Sequence, residues 1–472
     1  MKLLFVAYCF GSADGQALIG VYKRGLRLAM RLVERGHEIV FFCTGREAYQ
    51  DELTRAAEAR MQFIDIPFVV GAHDAARRTS DIFRRTLRDL APDVIVVGEA
   101  PLSGAMLEAT LVGAELEIPV TLLDNAYNAL FVELFLRHVG PITDGIVLMG
   151  PSSHHLTEPP AFLCQVPPMI DSDPTAATAL LETTFGSLDD SPLVTVLAYD
   201  AKVERLATSM LPDLVGAGAT VVFCSRDPEA CRRRWPALPP TARVAALAQP
   251  SEATLIGLLD IASLAIVKYG FMQVAECLTL GTPAIVVYHE GPTWVDYLPP
   301  SSRACVWVTA SPARDRRTVE AALSFLDQPS NALDEIHDGR LDALERAAAF
   351  FDAIPRTPRD TTSECAALGF DRPAVIAALD HALPGRGDDL VTTRAIRVRT
   401  ASEADIYILV CRLRDGSTIR LWGRCYADPD AAAADQEHAR HDPHRRIFHF
   451  DATTSIAIEA DLGEALLPPL NP

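Results

Sequence analysis

The sequence predicts an α/β protein: two tandem doubly wound, Rossmann-like domains facing a cleft, followed by a small α+β appendix. Three observations predict it. Short, near-continuous apolar runs alternate with amphipathic stretches over residues 1–150, which is the pattern of a parallel sheet covered on both faces. The same alternation restarts at residue 192. Beyond residue 391 the pattern changes to period two, as in antiparallel strands.

In the first unit, "KLLFVAY" (2–8) reads as a strand and "GVYKRGLRLAMRLVERG" (20–36) as a helix. Leu26, Ala29, Met30 and Val33 recur there at helical spacing, and Gly36 stops the helix. "EIVFFC", "MQFIDIPF", "PDVIVVGE" and "IPVTLLDN" follow as strands, with helices expected near 75–90 and 103–116. Residues 150–192 are rich in proline and contain an interdomain linker. The second unit runs through "PLVTVLAY", a helix at 201–215, "ATVVFCS", "ARVAAL", a helix at 251–259, "SLAIVK", a further helix and "PAIVVY". A helix is expected at 340–353. The predicted boundaries are 1–165 and 190–345 for the two domains, 346–390 for a helical and irregular connector, and 391–472 for the appendix. In the appendix, "RDGS" supplies a hairpin turn and an acidic helix at 429–440 interrupts the strands.

The chain of 472 residues carries a net charge of −19, with 49% hydrophobic and 22% charged residues. An acidic surface disfavours sequence-independent binding to nucleic acid or anionic membranes. The opening apolar run is too short to span a membrane and lacks a cleavage-site pattern, so it reads as a buried strand, and no transmembrane segment is expected. The ten cysteines form no CxxC pair. Neither a zinc site nor a disulfide framework is indicated, and the expected location is the reducing cytoplasm.

The chemistry concentrates in "ASLAIVKYGFMQVAECLTLGTPAIVVY" (262–288). An apolar strand ends at Lys268, Gly270 follows, and a helix of about two and a half turns runs to Leu280 before Gly281 and Pro283. Amides at that helix start favour an anion such as a diphosphate. Gln273 and Glu276 share one helix face, and a carboxylate offers two acceptors to the two hydroxyls of a ribose. Glu276 is either that ribose ligand or a capping or surface glutamate.

This strand–Gly–helix–Gly–x–Pro–strand pattern resembles the donor-binding segment of GT-B fold nucleotide-sugar glycosyltransferases. It is closest to the group containing the lipid II N-acetylglucosaminyltransferase. The match lies at Gly270, Glu276, Gly281 and Pro283, preceded by "ATLIGLLDIASLAIV" (253–267), and the opening with "RGHEIVFF" (35–42) is similar as well. It covers roughly residues 1–50 and 192–330 and does not reach the appendix. The resemblance implies that Glu276 contacts the nucleotide ribose, that Gly270 and Phe271 contact phosphate, and that no metal or other cofactor is needed.

The sequence also departs from that family. Lys268 replaces a small residue, either to meet a diphosphate leaving group or to snorkel from a strand end. Gln273 stands where relatives carry threonine or serine. "CFGSADGQA" (9–17) lacks the family's histidine. Asp14 either replaces that histidine as base or caps the next helix. Glu99 and Asp124 follow buried strands and should face the cleft, as base, acceptor ligand or helix cap. Tyr199 and Asp200 stand where relatives have a phosphate loop and make a poor anion cradle, with Lys202 able to compensate. His289, Glu290 and Asp296 are candidates for sugar hydroxyls, and Trp294 for stacking on a sugar or packing. His154 and His155 are adjacent in the linker and so rarely share a metal. In the cluster of His438, His441, His444 and His449 an i, i+3 pair on a helix could bind zinc, but solvated histidines are the expected reading and no metal site is predicted.

The resemblance implies a glycosyltransferase using a nucleotide-diphosphate sugar, UDP-linked by analogy, and an unidentified acceptor. Two alternatives stand beside it. One is a nucleotide-sugar hydrolase or epimerase on the same fold. The other is a non-catalytic nucleotide-sugar-binding partner protein that uses 391–472 for self-association or to meet another protein.

Overall fold

The computed structural model describes residues 1–8, 10–11, 17–18, 20–44, 52–65, 73–98, 104–126, 129–150, 155–186, 190–248, 250–288, 295, 303–311, 313–327, 342–400, 404–441, 445–451 and 456–461. The first domain opens with β1 (Lys2–Tyr8), the short β2 (Phe10–Gly11) and β3 (Ala17–Leu18), helix α1 (Gly20–Glu34) and β4 (Glu38–Thr44). Then come α2 (Glu52–Glu58), β5 (Gln62–Asp65), α3 (His73–Leu90), β6 (Val94–Val97), α4 (Gly104–Glu115) and β7 (Val120–Asn125). Helix α5 (Ala129–Val139), β8 (Gly145–Met149) and β9 (Leu163–Val166) complete it. The main sheet has seven strands in the order β5-β4-β1-β6-β7-β8-β9, and its pairings are parallel.

The apolar runs are continuous because both faces are covered. Leu4 and Val6 enter one core, while Leu3, Phe5 and Ala7 enter the other. Gly36 closes α1 with φ +84°, a backbone region that suits glycine, and its amide donates to Val33 O at 3.0 Å.

The second domain follows α6 (Pro174–Phe185). It contains β10 (Leu193–Leu197), α7 (Ala201–Gly216), β11 (Thr220–Ser225), α8 (Pro228–Arg233), β12 (Val244–Ala248) and α9 (Glu252–Asp260). It continues with β13 (Leu264–Lys268), α10 (Phe271–Leu280), β14 (Ala284–Val287) and β15 (Val306–Thr309). Its six-stranded parallel sheet has the order β12-β11-β10-β13-β14-β15. The sequence reading contained none of β8, β9 and β15. β9 and β15 are four-residue edge strands whose pattern is too short to separate from loop, and the five-residue β8 abuts the proline-rich stretch read as linker.

The proline-rich linker is less independent than its composition suggests. Ala177 and Leu181 of α6 are buried in the second domain's core. The helix Ala343–Ala353 leaves the second domain altogether. Its Ala343, Ala347, Ala348 and Phe351 are buried with Leu3 and Phe5 of the first domain. Arg35 pairs with Glu345 at 3.0 Å and with Asp352, and His37 Nε2 lies 2.8 Å from Asp352.

Beyond it, in the stretch read as a helical and irregular connector, lie helices Thr362–Ala367 and Arg372–Ala382. They cover a five-stranded antiparallel sheet built from β16 (Leu390–Thr400), β17 (Ala404–Leu413), β18 (Thr418–Tyr426), β19 (Arg445–Asp451) and β20 (Ile456–Asp461). The β17–β18 hairpin turns at Arg414–Ser417, with Gly416 at φ +82°. The acidic helix is Pro429–His441.

The sheet's other face lies on the first domain. Ile396 and Val410 share a core with Phe135 and Val139. Arg394 forks onto Asp144 at 2.9 and 2.6 Å and donates to Ile142 O at 3.1 Å, and both side chains are buried. Arg420 meets Glu115 from the appendix side while Arg84 meets the same carboxylate at 2.8 Å. Arg394→Met leaves Asp144 buried without its cation. It should lower stability by about 3–5 kcal/mol, read as a fall in the urea midpoint. An unchanged midpoint would show that the pair contributes nothing to holding the appendix.

Candidate functional site

In both sheets the strand order reverses beside the first strand, between β1 and β6 and between β10 and β13. Ligands of open α/β sheets bind outside the carboxyl ends of strands at such points. At the first reversal β2 and β3 pair antiparallel, and the sequence between them includes Asp14. β6 runs on to Gly98, where an added Cβ would meet Val21 Cγ1 at 2.6 Å, so the residue must be small for α1 to pack there. Asp14 and Glu99 themselves lie outside the described residues. Asp124 is fully buried at 0% exposure, and its Oδ1 accepts the amide of Asn125 at 2.7 Å. The sequence expects Asp124 to face the cleft; its carboxylate is buried.

Arg24 of α1 is 1% exposed and donates to Gly98 O and, at 3.0 Å, to Leu123 O. These carbonyls immediately precede Glu99 and Asp124, so one buried guanidinium ties the two strand ends that carry them.

At the second reversal, Asp200 caps α7 by accepting the amide of Lys202 at 2.8 Å. The same carboxylate pairs with Lys268 Nζ at 3.2 Å, bridging the ends of β10 and β13. A carboxylate at the mouth of α7 repels a phosphate there. Tyr199 packs against the second domain's core, its hydroxyl buried without a hydrogen-bond partner among the described residues, and burial pushes its pKa upward. The start of α10 is different. Its N-cap is Gly270, and among the described residues no side chain caps it and nothing lies within 4 Å of a Cβ built on Gly270. Gly270 has φ −164°, extended backbone open to any residue, so what glycine provides here is bare surface. Phe271 is buried and Gln273 half-buried. The N-terminus of α1 approaches the same place, with a Cβ on Gly20 falling 3.9 Å from Met272 Cγ. His289, Glu290, Trp294 and Asp296 lie outside the described residues.

Glu276 sits on α10 at 6% exposure, among residues otherwise belonging to the core. It is not alone. Arg27 of α1 donates from Nη1 to Glu276 Oε1 at 3.1 Å and to Met169 O at 2.8 Å. Its Nη2 donates to Glu252 Oε1 at the start of α9, and Lys23 Nζ lies 3.3 Å from that same oxygen. Glu276 Oε2 takes no hydrogen bond from any described residue. Burial alone would lower the Arg27 pKa, but the carboxylates of Glu252 and Glu276 raise it on balance. Burial pushes the Glu276 pKa above its ordinary value, because Arg27, which opposes this, divides its charge between two carboxylates while Glu252 adds repulsion.

No protein-family model matches the sequence, and no curated protein matches it. Solved structures do match. The glycosyltransferase of kitacinnamycin is 13% identical with a TM-score of 0.50, over 75% of this chain and 99% of its own. The chain has the GT-B fold. The UDP-GlcNAc 2-epimerase of Neisseria meningitidis (13% identity, TM-score 0.49, 75% of this chain and 98% of its own) also matches. So does MurG of Acinetobacter baumannii (13%, 0.48, 74% and 99%).

Lys23, Arg24, Arg27 and Glu252 were missed by sequence reasoning. A signal was present: Lys23, Arg27, Arg31 and Arg35 recur every fourth residue along α1 and into its closing turn. Among the described residues no cluster of three or more His, Cys, Asp or Glu has the arrangement of a metal site. His155 Nε2 lies 3.1 Å from Gly150 O, and His441 lies 3.3 Å from Glu437; His154 and His444 are outside the described residues. Among the described residues no helix is long and apolar enough to cross a membrane.

The raised Glu276 pKa fixes the sign of a pH effect. The folded protein holds this proton at pH values above 4.5, where the unfolded chain releases it. Its contribution to stability is therefore full below that pH and lost as pH rises through the folded-state pKa. Glu276→Gln should remove this fall, so the melting temperature of the variant relative to wild type should climb between pH 4.5 and 7. A constant difference across that range would contradict the assignment.

Proposed function

We propose that the chain is a glycosyltransferase that moves a sugar from a nucleotide-diphosphate donor to an acceptor hydroxyl. The observation that supports it most is the start of α10. The helix N-terminus, which no described side chain caps, follows two residues after Lys268, whose ammonium pairs with Asp200, and Glu276 stands six residues on from Gly270. At 1.5 Å per residue that is about 9 Å along the axis, a span suited to a diphosphate at one end and a ribose at the other. The oriented amides and the nearby start of α1 add positive potential for the phosphates. UDP is the preferred donor nucleotide by analogy with the segment's resemblance.

In this reading the acceptor oxygen bonds to the anomeric carbon as the bond from that carbon to the diphosphate oxygen breaks. The charge that develops on the diphosphate is met by Lys268 and the amides at Gly270 and Phe271. The acceptor's proton passes to a carboxylate on the first domain. Asp14 and Glu99 are the candidates, whereas Asp124 would have to leave its buried position. Gln273 lies on the Glu276 face and would touch the donor, and His289 and Glu290 are the further candidates for its sugar hydroxyls.

Two measurements test the donor site. Isothermal titration with UDP, GDP, dTDP and CDP should find selective binding, weakened by about 1.5–3 kcal/mol in Glu276→Ala. Affinity indifferent to that change would remove the ribose assignment. Lys268→Met should weaken UDP and leave uridine unaffected, because only the diphosphate meets the ammonium. Equal losses for both would place Lys268 in a structural role.

A further inference from the structure

The guanidinium of Arg27 belongs to the first domain, yet it lies between two carboxylates of the second. We propose that Arg27 is an affinity-determining residue of the donor site, contributed by the opposite domain, and that it competes with the ribose hydroxyls for Glu276. The proposal rests on the reading of Glu276 as the ribose carboxylate.

A ribose diol uses both oxygens of a carboxylate. Oε2 of Glu276 takes no hydrogen bond from any described residue, but Oε1 is engaged by Arg27 at 3.1 Å. The diol therefore has to displace one hydrogen bond. What makes displacement feasible is the rest of the arginine's surroundings. Arg27 keeps Glu252 through Nη2 and Met169 O through Nη1. A buried guanidinium stripped of every partner would cost several kcal/mol; this one passes from two carboxylates to one. Lys23, four residues earlier on the same face, lies 3.3 Å from Glu252 and keeps that carboxylate in place. Glu252 is thus the arginine's reserve partner. The more firmly it holds Arg27, the more freely Glu276 accepts a nucleotide.

Two substitutions at this cluster should move affinity in opposite directions. Arg27→Met removes the competitor and should tighten the best-bound of UDP, GDP and CDP by about tenfold in isothermal titration. Glu252→Gln is nearly isosteric and takes away the reserve partner's charge, so Arg27 falls more fully on Glu276. It should weaken the same nucleotide severalfold. Binding by Arg27→Met that is no tighter than wild type, or binding by Glu252→Gln that is unchanged or tighter, would overturn the competition. If Arg27→Met fails to fold, Glu252→Gln decides alone. Affinity that ignores Glu276→Ala would overturn the ribose reading and this proposal together. Affinity that depends on Glu276 but ignores Arg27 and Glu252 would overturn only the proposal.

Discussion

A guanidinium buried to 8% exposure needs its charge paired, and the position of Arg27 makes that requirement a constraint on the relation between two domains. It obliges α9 and α10 of the second domain to present Glu252 and Glu276 to α1, with Met169 of the linker alongside. The other basic residues of the stripe extend the logic. Lys23 pairs with Glu252, whereas Arg31 and Arg35 pair with Glu345 on the helix that returns from the second domain. Four-residue spacing drifts about 40° per step around a helix of 3.6 residues per turn. One stripe can therefore face the second domain at its start and the returning helix at its end. α1 is held between partners far away in the chain.

Much of the architecture was legible because each signal was local. Gly270, Gly281 and Pro283 bracket α10, whose bounds Phe271–Leu280 are those the sequence suggests, and Gly281 takes the left-handed φ of +76° that ends it. The period-two pattern of the appendix and its RDGS turn carried through to β16–β20. Failures came where the determinant was distant or weak. The helix at 343–353 was readable as a helix, but an alanine-rich face does not name its partner, and its packing on β1 and α1 was not. The edge strands β9 and β15 had four residues each. At the site, the sequence showed that Glu276 and Gln273 share a face. It had no means to show a cation 249 residues away reaching Glu276.

The appendix illustrates the same limit. Alternation in β17 suggests one apolar face and one wet face, yet Tyr407, Leu409, Cys411 and Leu413 enter one core while Val410 enters another. Both faces are covered, one by the helices at 362–382 and one by the first domain. Charged residues at the second contact are therefore buried and paired rather than solvated, and Arg394 is the clearest example.

Comparing the two joints gives a physical distinction between them. At the appendix joint each buried carboxylate is saturated. Asp144 accepts from Arg394 on both oxygens and from the Val120 amide at 2.8 Å, and Glu115 takes Arg420 on one oxygen and Arg84 on the other. Any incoming group would have to break bonds that have no substitute, which suits a permanent contact. At the joint between the two α/β domains, described residues engage one oxygen of Glu276, and the cation engaging it has a second carboxylate to fall back on. Breaking that bond leaves no buried charge unpaired if a polyhydroxyl ligand takes its place. The chemistry of the joints thus assigns exchange to the interdomain contact and rigidity to the appendix, because only one of them can trade partners without stranding a charge.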